Sequence, residues 1–152
     1  MRARLGIAVA LMAASLFVAS AAAEVGPTVE NTVVLGSGKF AAPFGTGFGD
    51  TEPEVVSNGG VPSGTMEEIT WTEWGERVAY GRGLGHQYKP RGGYYRHPVQ
   101  VRLRAEKIGK CKGLPFRAYT RLRVKFQKKP GGAWDDWLLW SGARSLCDPL
   151  FR

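Results

Sequence analysis

The sequence predicts an all-β protein, a small antiparallel β-sandwich or barrel with one disulfide and a flexible N-terminal arm. Three observations carry that expectation. From residue 67 onward, short runs such as "VQVRLRA" and "TRLRVKF" alternate apolar and polar side chains and are rich in β-branched and aromatic residues, the period-two signature of half-buried strands. Glycine and proline punctuate these runs at short intervals, as turns require. Beyond the first 23 residues no apolar pattern of helical period reaches ordinary helix length.

The N-terminus reads as a targeting segment. Met1-Arg2-Ala3-Arg4 is a short positive region, Leu5 to Ala19 is apolar, and Ala21-Ala22-Ala23 offers a small-residue cleavage site before Glu24. This is the layout of a secretory signal peptide over residues 1–23. The run is short for a bilayer span, and no later stretch is long and apolar enough to cross a membrane once the signal is removed. Secretion, to the exterior or the cell envelope, is therefore expected.

Residues 24–65 read as an arm or linker. A strand candidate at Thr32–Leu35 is followed by "GSGKFAAPFGTGFGDTEPEVVSNGGVPSGT". Phe40, Phe44 and Phe48 recur every four positions there, but Pro43 and the intervening glycines oppose a helix.

Residues 66–152 carry the β domain. "EEITWTEWG" sets Ile69 and Trp71 against Thr70 and Thr72, and "RVAYGRG" resumes after Gly75. In "HPVQVRLRA", Val99, Val101, Leu103 and Ala105 share one face, and Arg102 and Arg104 the other. "AYTRLRVKF" repeats the figure, with Arg121, Arg123 and Lys125 opposite Leu122 and Val124. "KKPGG" supplies a turn, and "AWDDWLLW" returns as a partner strand or, because its tryptophans recur every three residues, a short helix. Cys111 lies between the two basic strands and Cys147 beyond the last strand. In an oxidising compartment they pair, clipping the C-terminal tail to that connection.

The net charge of +8 conceals an asymmetry. Residues 24–76 hold one basic residue against nine acids, whereas residues 77–152 hold eighteen against four. If the two basic strands pair, Arg102, Arg104, Arg121, Arg123 and Lys125 stand on the solvent side of one sheet, since residues two apart share a face. Like charges opposite one another are destabilising, so something should offset them. Internal carboxylates are one answer, with Glu68, Glu73, Glu76 and Glu106 nearby in sequence. An anionic glycan or cell-wall polymer is the other, since the planar guanidinium pairs bidentately with carboxylate or phosphate. No nucleic-acid recognition motif is present.

Catalytic and metal signatures are absent. "YGRGLGH" departs from the phosphate-cradling spacing, with His86 where a third glycine belongs. It reads instead as a strand with a bulge or a close backbone approach. His86 and His97 have no ligand set at metal spacing, and no cofactor is called for. Asp135 and Asp136 are adjacent, which in a strand turns them to opposite faces. Trp134, Trp137 and Trp140 offer an alternative, a flat platform for carbohydrate, although tryptophan is also a large core filler. A secreted hydrolase of unrecognised type would need a cleft that the sequence does not reveal.

The run "ITWTEWG", then "YGRGLG", then "VQVRLR" and "YTRLRV" around two cysteines, resembles small secreted bacterial two-cysteine β proteins of unknown function. The resemblance spans residues 68–147 and implies an exported all-β domain, with no catalytic residue to carry over. The function expected is thus a non-catalytic exported domain whose basic face binds an anionic envelope or extracellular polymer.

Overall fold

The computed structural model describes residues 31–151; the signal peptide expected over residues 1–23 lies outside them. The described chain is all-β. Strands β1 (Val33–Leu35), β2 (Val56–Ser57), β3 (Thr65–Thr72), β4 (Val78–Gly85), β5 (Val99–Lys110), β6 (Arg117–Phe126) and β7 (Leu138–Leu139) form one curled sheet. Its order is β1-β6-β5-β4-β3-β2, with β7 also on β6. All pairings are antiparallel except that of β1 with β6, which is parallel. β1 takes the first part of the outer edge of β6 and β7 the second, since β1 pairs at Arg117–Tyr119 and β7 at Arg123–Val124.

The inner face of the sheet carries the core. Val99, Val101, Leu103 and Ala105 of β5 and Leu122, Val124 and Phe126 of β6 are buried, as their alternation requires. On β3 the alternation is reset. Met66 and Ile69 are both buried although an odd number of positions separates them, because a β-bulge inserts one extra residue between Glu67 and Thr70. Glu68 occupies it in the left-handed region, with φ 53°, the geometry of an inserted residue.

The glycine alternation of β4 has a packing cause. Ala79, Gly81, Gly83 and Gly85 point inward, where neighbouring side chains lie flat over the strand. A Cβ on Gly81 would sit 3.1 Å from the Trp71 ring, and one on Gly85 2.8 Å from the Phe126 ring. Glycine is what lets these large rings approach the sheet.

The segment expected as a flexible arm is, over its described part, folded into the core, so the β domain begins at β1 and not at residue 66. Phe40, Ala41, Phe48 and Val56 are buried in the same cluster as the sheet residues, and the Phe40 and Phe48 rings meet at 4.6 Å. Phe44 points to solvent. Backbone bonds hold the loop, among them Leu35 N–H to the Asp50 carbonyl at 2.8 Å and Gly49 N–H to the Leu35 carbonyl at 2.7 Å. A few buried rings and long-range backbone bonds fix it, and neither leaves a period in the sequence.

On a regular strand Trp71 and Trp74, three residues apart, would face opposite ways. β3 ends at Thr72, and Glu73 and Gly75 both take positive φ. Trp74 is thereby swung inward to meet Trp71 edge-on at 4.9 Å and Tyr119 at 5.1 Å. Each indole N–H is satisfied, Trp71 by the Pro53 carbonyl and Trp74 by the Val33 carbonyl, both at 2.9 Å.

Cys111 and Cys147 form the expected disulfide, with Cα atoms 5.1 Å apart. It joins the end of β5 to the C-terminal tail above a small cluster with Val34, Ala118, Leu114 and Phe116. Closing 36 residues restricts the unfolded chain by about 3.8 kcal/mol on the loop-entropy argument.

Candidate cation–aromatic face

The outer face of the sheet is polar, and register sets its rows. Thr70 of β3 pairs with Arg82 of β4, Arg82 with Arg102 of β5, and Arg102 with Lys125 of β6. The next row is Thr72, Tyr80, Arg104 and Arg123, and the next Val78, Glu106 and Arg121. The five cations singled out from sequence therefore share one face, and Arg82 joins them. Adjacent strands stand about 4.8 Å apart, so Arg82, Arg102 and Lys125 make a close-set cationic row.

The segment after β6 lays two indoles over these rows. The turn at residues 128–132 closes with Lys128 N–H on the Ala133 carbonyl at 2.8 Å and Gly131 at φ 67°. Asp135 N–H then donates to the Phe126 carbonyl, and Trp134 bridges to Gln127. The Arg102 guanidinium lies 4.5 Å from the Trp134 ring centroid. Lys125 Nζ sits between two indoles, 5.5 Å from Trp134 and 5.1 Å from Trp137. Arg104 lies 5.7 Å from Trp137 and 5.9 Å from Tyr80. Rings and cations thus alternate in a ladder: Tyr80, Arg104, Trp137, Lys125, Trp134, Arg102. The negative π faces attract the cations but carry no net charge.

The two ends of the face differ electrostatically. At one end Glu106 accepts from Arg123 Nε at 3.0 Å and lies 3.4 Å from Arg104 and 3.8 Å from Arg121. One carboxylate serves three guanidiniums there, and the buried Arg104 Nε and Arg121 Nε have no hydrogen-bond partner. At the other end, among the described residues, no carboxylate lies within 4 Å of Arg82, Arg102 or Lys125. A groove of about 600 Å³ opens between Thr70, Thr72, Tyr80, Arg82, Arg102 and Trp137. A second hollow continues from it past Leu84, Gln100 and Trp134, and Glu68 lines it as well, beyond ion-pair distance of Arg82 and Arg102.

Other candidates are not brought together. Trp140 is buried in the core, with its indole N–H on Asn58 Oδ1 at 2.8 Å, and Asn58 Nδ2 donates to Ser141 Oγ. The three-ring carbohydrate platform is therefore not formed, leaving Trp134 and Trp137 at the surface. Asp135 faces Lys128 at 3.7 Å, whereas Asp136 is exposed. His86 lies 3.7 Å from Glu67 and His97 is exposed in a loop. Among the described residues no three metal-ligating side chains converge, and no helix is long and apolar enough to cross a membrane.

Sequence reasoning missed Arg82 and Tyr80, which were absorbed into a glycine-rich motif, although their two-residue spacing in "YGRGLG" already put them on one strand face. It also missed the stacking of the indoles on the basic strands, which depends on the path of the turn after β6. Comparison of the chain with family models, with curated proteins and with solved structures finds no match.

Proposed function

We propose that this protein is an exported, non-catalytic β domain whose cation–aromatic face binds an anionic polysaccharide of the cell envelope or its surroundings. The observation that carries the reading is the row Arg82–Arg102–Lys125. These three cations are aligned by strand register, Arg102 and Lys125 lie against indoles, and none of the three has an ion-pair partner among the described residues. Two members of the row are braced by rings, which carry no net charge, so the row remains positive. Carboxylate or sulfate groups of a sugar chain would neutralise it, and sugar ring faces would meet the exposed parts of Trp137 and Tyr80. The disulfide is compatible with the oxidising compartment that this reading needs.

The test is retention on an anionic polysaccharide column across a salt series. Arg102→Ala with Lys125→Ala should elute at markedly lower salt than the wild type, because fewer ion contacts remain to be screened. Lys112→Ala, an exposed change in the β5–β6 connection, should elute with the wild type. Identical elution of all three proteins, or elution of the wild type without added salt, would falsify the proposal.

A further inference from the structure

We infer that the binding path does not end at the groove but continues onto the loop of residues 86–98, which forms a second subsite, so that the ligand is a linear chain long enough to span both. This rests on the reading of the groove as a polyanion site.

The loop joins β4 to β5 and carries Lys89, Arg91 and Arg96 with no acidic residue among its own positions. All three cations are exposed, and none has an ion pair among the described residues. The loop is nevertheless tightly built. Lys89 N–H donates to the Gly93 carbonyl at 2.8 Å, Gly92 N–H to the Lys89 carbonyl at 3.0 Å, and Tyr95 N–H to the Gln87 carbonyl at 3.0 Å. Tyr88 and Tyr94 stack with centroids 4.3 Å apart, and their hydroxyls are 2.9 Å from one another. The Tyr94 hydroxyl is also 3.3 Å from Ser63 Oγ, across the gap to the segment before β3. A loop with an ordered pair of rings and three unpaired cations repeats the chemistry of the ladder at a second place. Tyr88, more than half exposed, offers the ring face.

The two places adjoin at the end of β4. His86 follows β4 directly, in step with the outward Tyr80, Arg82 and Leu84; its imidazole lies 3.7 Å from Glu67, and its ring meets Tyr94 edge-on at 6.3 Å. The hollow beyond the groove is lined by Leu84 and Gln100, with Glu68 on its β3 side, close to the points where the loop leaves β4 and enters β5. A chain lying along Arg102 and Arg82 and continuing past Leu84 would reach the Tyr88–Tyr94 pair. Rings and hydroxyls along a narrow track suit a sugar chain, whose every unit has an apolar face and polar edges.

The experiment is calorimetric titration of the whole protein with heparin-derived oligosaccharides, size-fractionated from disaccharide to dodecasaccharide. For the wild type, affinity should climb about tenfold or more along the series, since the second contact becomes intramolecular once the chain spans both subsites. Lys89→Ala with Arg91→Ala and Arg96→Ala should bind the shortest fragments as the wild type does and lose the climb. Arg91→Glu alone, a single exposed change, should lose part of it. Arg102→Ala with Lys125→Ala should bind weakly at every length. If the triple variant climbs like the wild type, the loop subsite is overturned and the groove reading stands. If the groove variant binds short fragments like the wild type, the groove reading falls and this inference with it. Tighter binding of a single-stranded oligodeoxynucleotide, or of vesicles rich in anionic lipid, than of the dodecasaccharide overturns the sugar-chain assignment.

Discussion

Arg102 lies against Trp134 with its guanidinium carbon 4.5 Å from the ring centroid, although Arg102 stands in β5 and Trp134 in the connection between β6 and β7, and Arg102 has no ion pair among the described residues. Trp134→Ala should lower stability by roughly 0.5–1 kcal/mol and weaken polysaccharide binding as Arg102 loses its orientation. Trp134→Phe should retain most of both. Urea unfolding together with column retention measures the two effects separately.

Glu106 is the sole carboxylate of a site with three guanidiniums, and its side chain is only 15% exposed. Glu106→Gln keeps the shape and removes the charge. Because the three guanidiniums remain partly in water, breaking up the cluster should cost roughly 1–2 kcal/mol, less than for a fully buried pair, and leave Arg104, Arg121 and Arg123 repelling one another. Added sodium chloride should then raise the thermal stability of Glu106→Gln more than that of the wild type, because screening weakens the repulsion among the three guanidiniums. An equal salt response of the two proteins would mean that the carboxylate does not offset that repulsion.

Gly83 is hemmed in by backbone. An added Cβ would lie 2.7 Å from the Glu67 carbonyl oxygen and 3.0 Å from Ile69 Cγ1, and the bulge in β3 leaves that carbonyl little room to retreat. Gly83→Ala should cost about 1–3 kcal/mol by overpacking, read as a lower urea midpoint. Gly60→Ala should instead be governed by its φ of 91°, since no atom stands within 4 Å of its added Cβ.

Burial pushes the Tyr119 hydroxyl above its ordinary value near 10, while the hydrogen bond from Gly75 pulls the other way. A group whose pKa is raised on folding contributes stability that is complete below the unfolded value and is lost as pH climbs through the folded one. Stability should therefore decline above about pH 10. Tyr119→Phe should flatten that decline relative to the wild type. At neutral pH it should cost about 1–3 kcal/mol, because the Glu76 carbonyl loses its 2.6 Å donor and Gly75 N–H its acceptor. Urea titrations between pH 7 and pH 11 distinguish the two effects.

The strands of the meander were legible because each buries one face: β5 and β6 announce themselves through Val99, Val101, Leu103, Leu122 and Val124, and the same alternation placed five cations opposite. The disulfide was legible because two cysteines allow one pairing. What escaped was whatever depends on a neighbour distant in sequence. Phe40 and Phe48 have no pattern that distinguishes them from Phe44, yet two are buried and one is not. Trp140 is in the core whereas Trp134 and Trp137 lie over cations, a division set by the turn after β6 and by Asn58, which receives the Trp140 indole N–H. Glycine at positions 81, 83 and 85 reads as a strand with a close backbone approach, but the side chains that make the approach, Trp71, Ile69 and Phe126, are not legible from the strand itself.

The parallel pairing of β1 with the start of β6 ties an early segment to one that is synthesised most of the chain later. Strands β2 to β6 can pair in succession as each hairpin closes, but Val33–Leu35 has no sheet partner until Arg117–Tyr119 exists. The slow, non-local step is therefore deferred to the end of chain growth. A chain emerging from its N-terminus would build its hairpins first and add its opening strand to the sheet edge last.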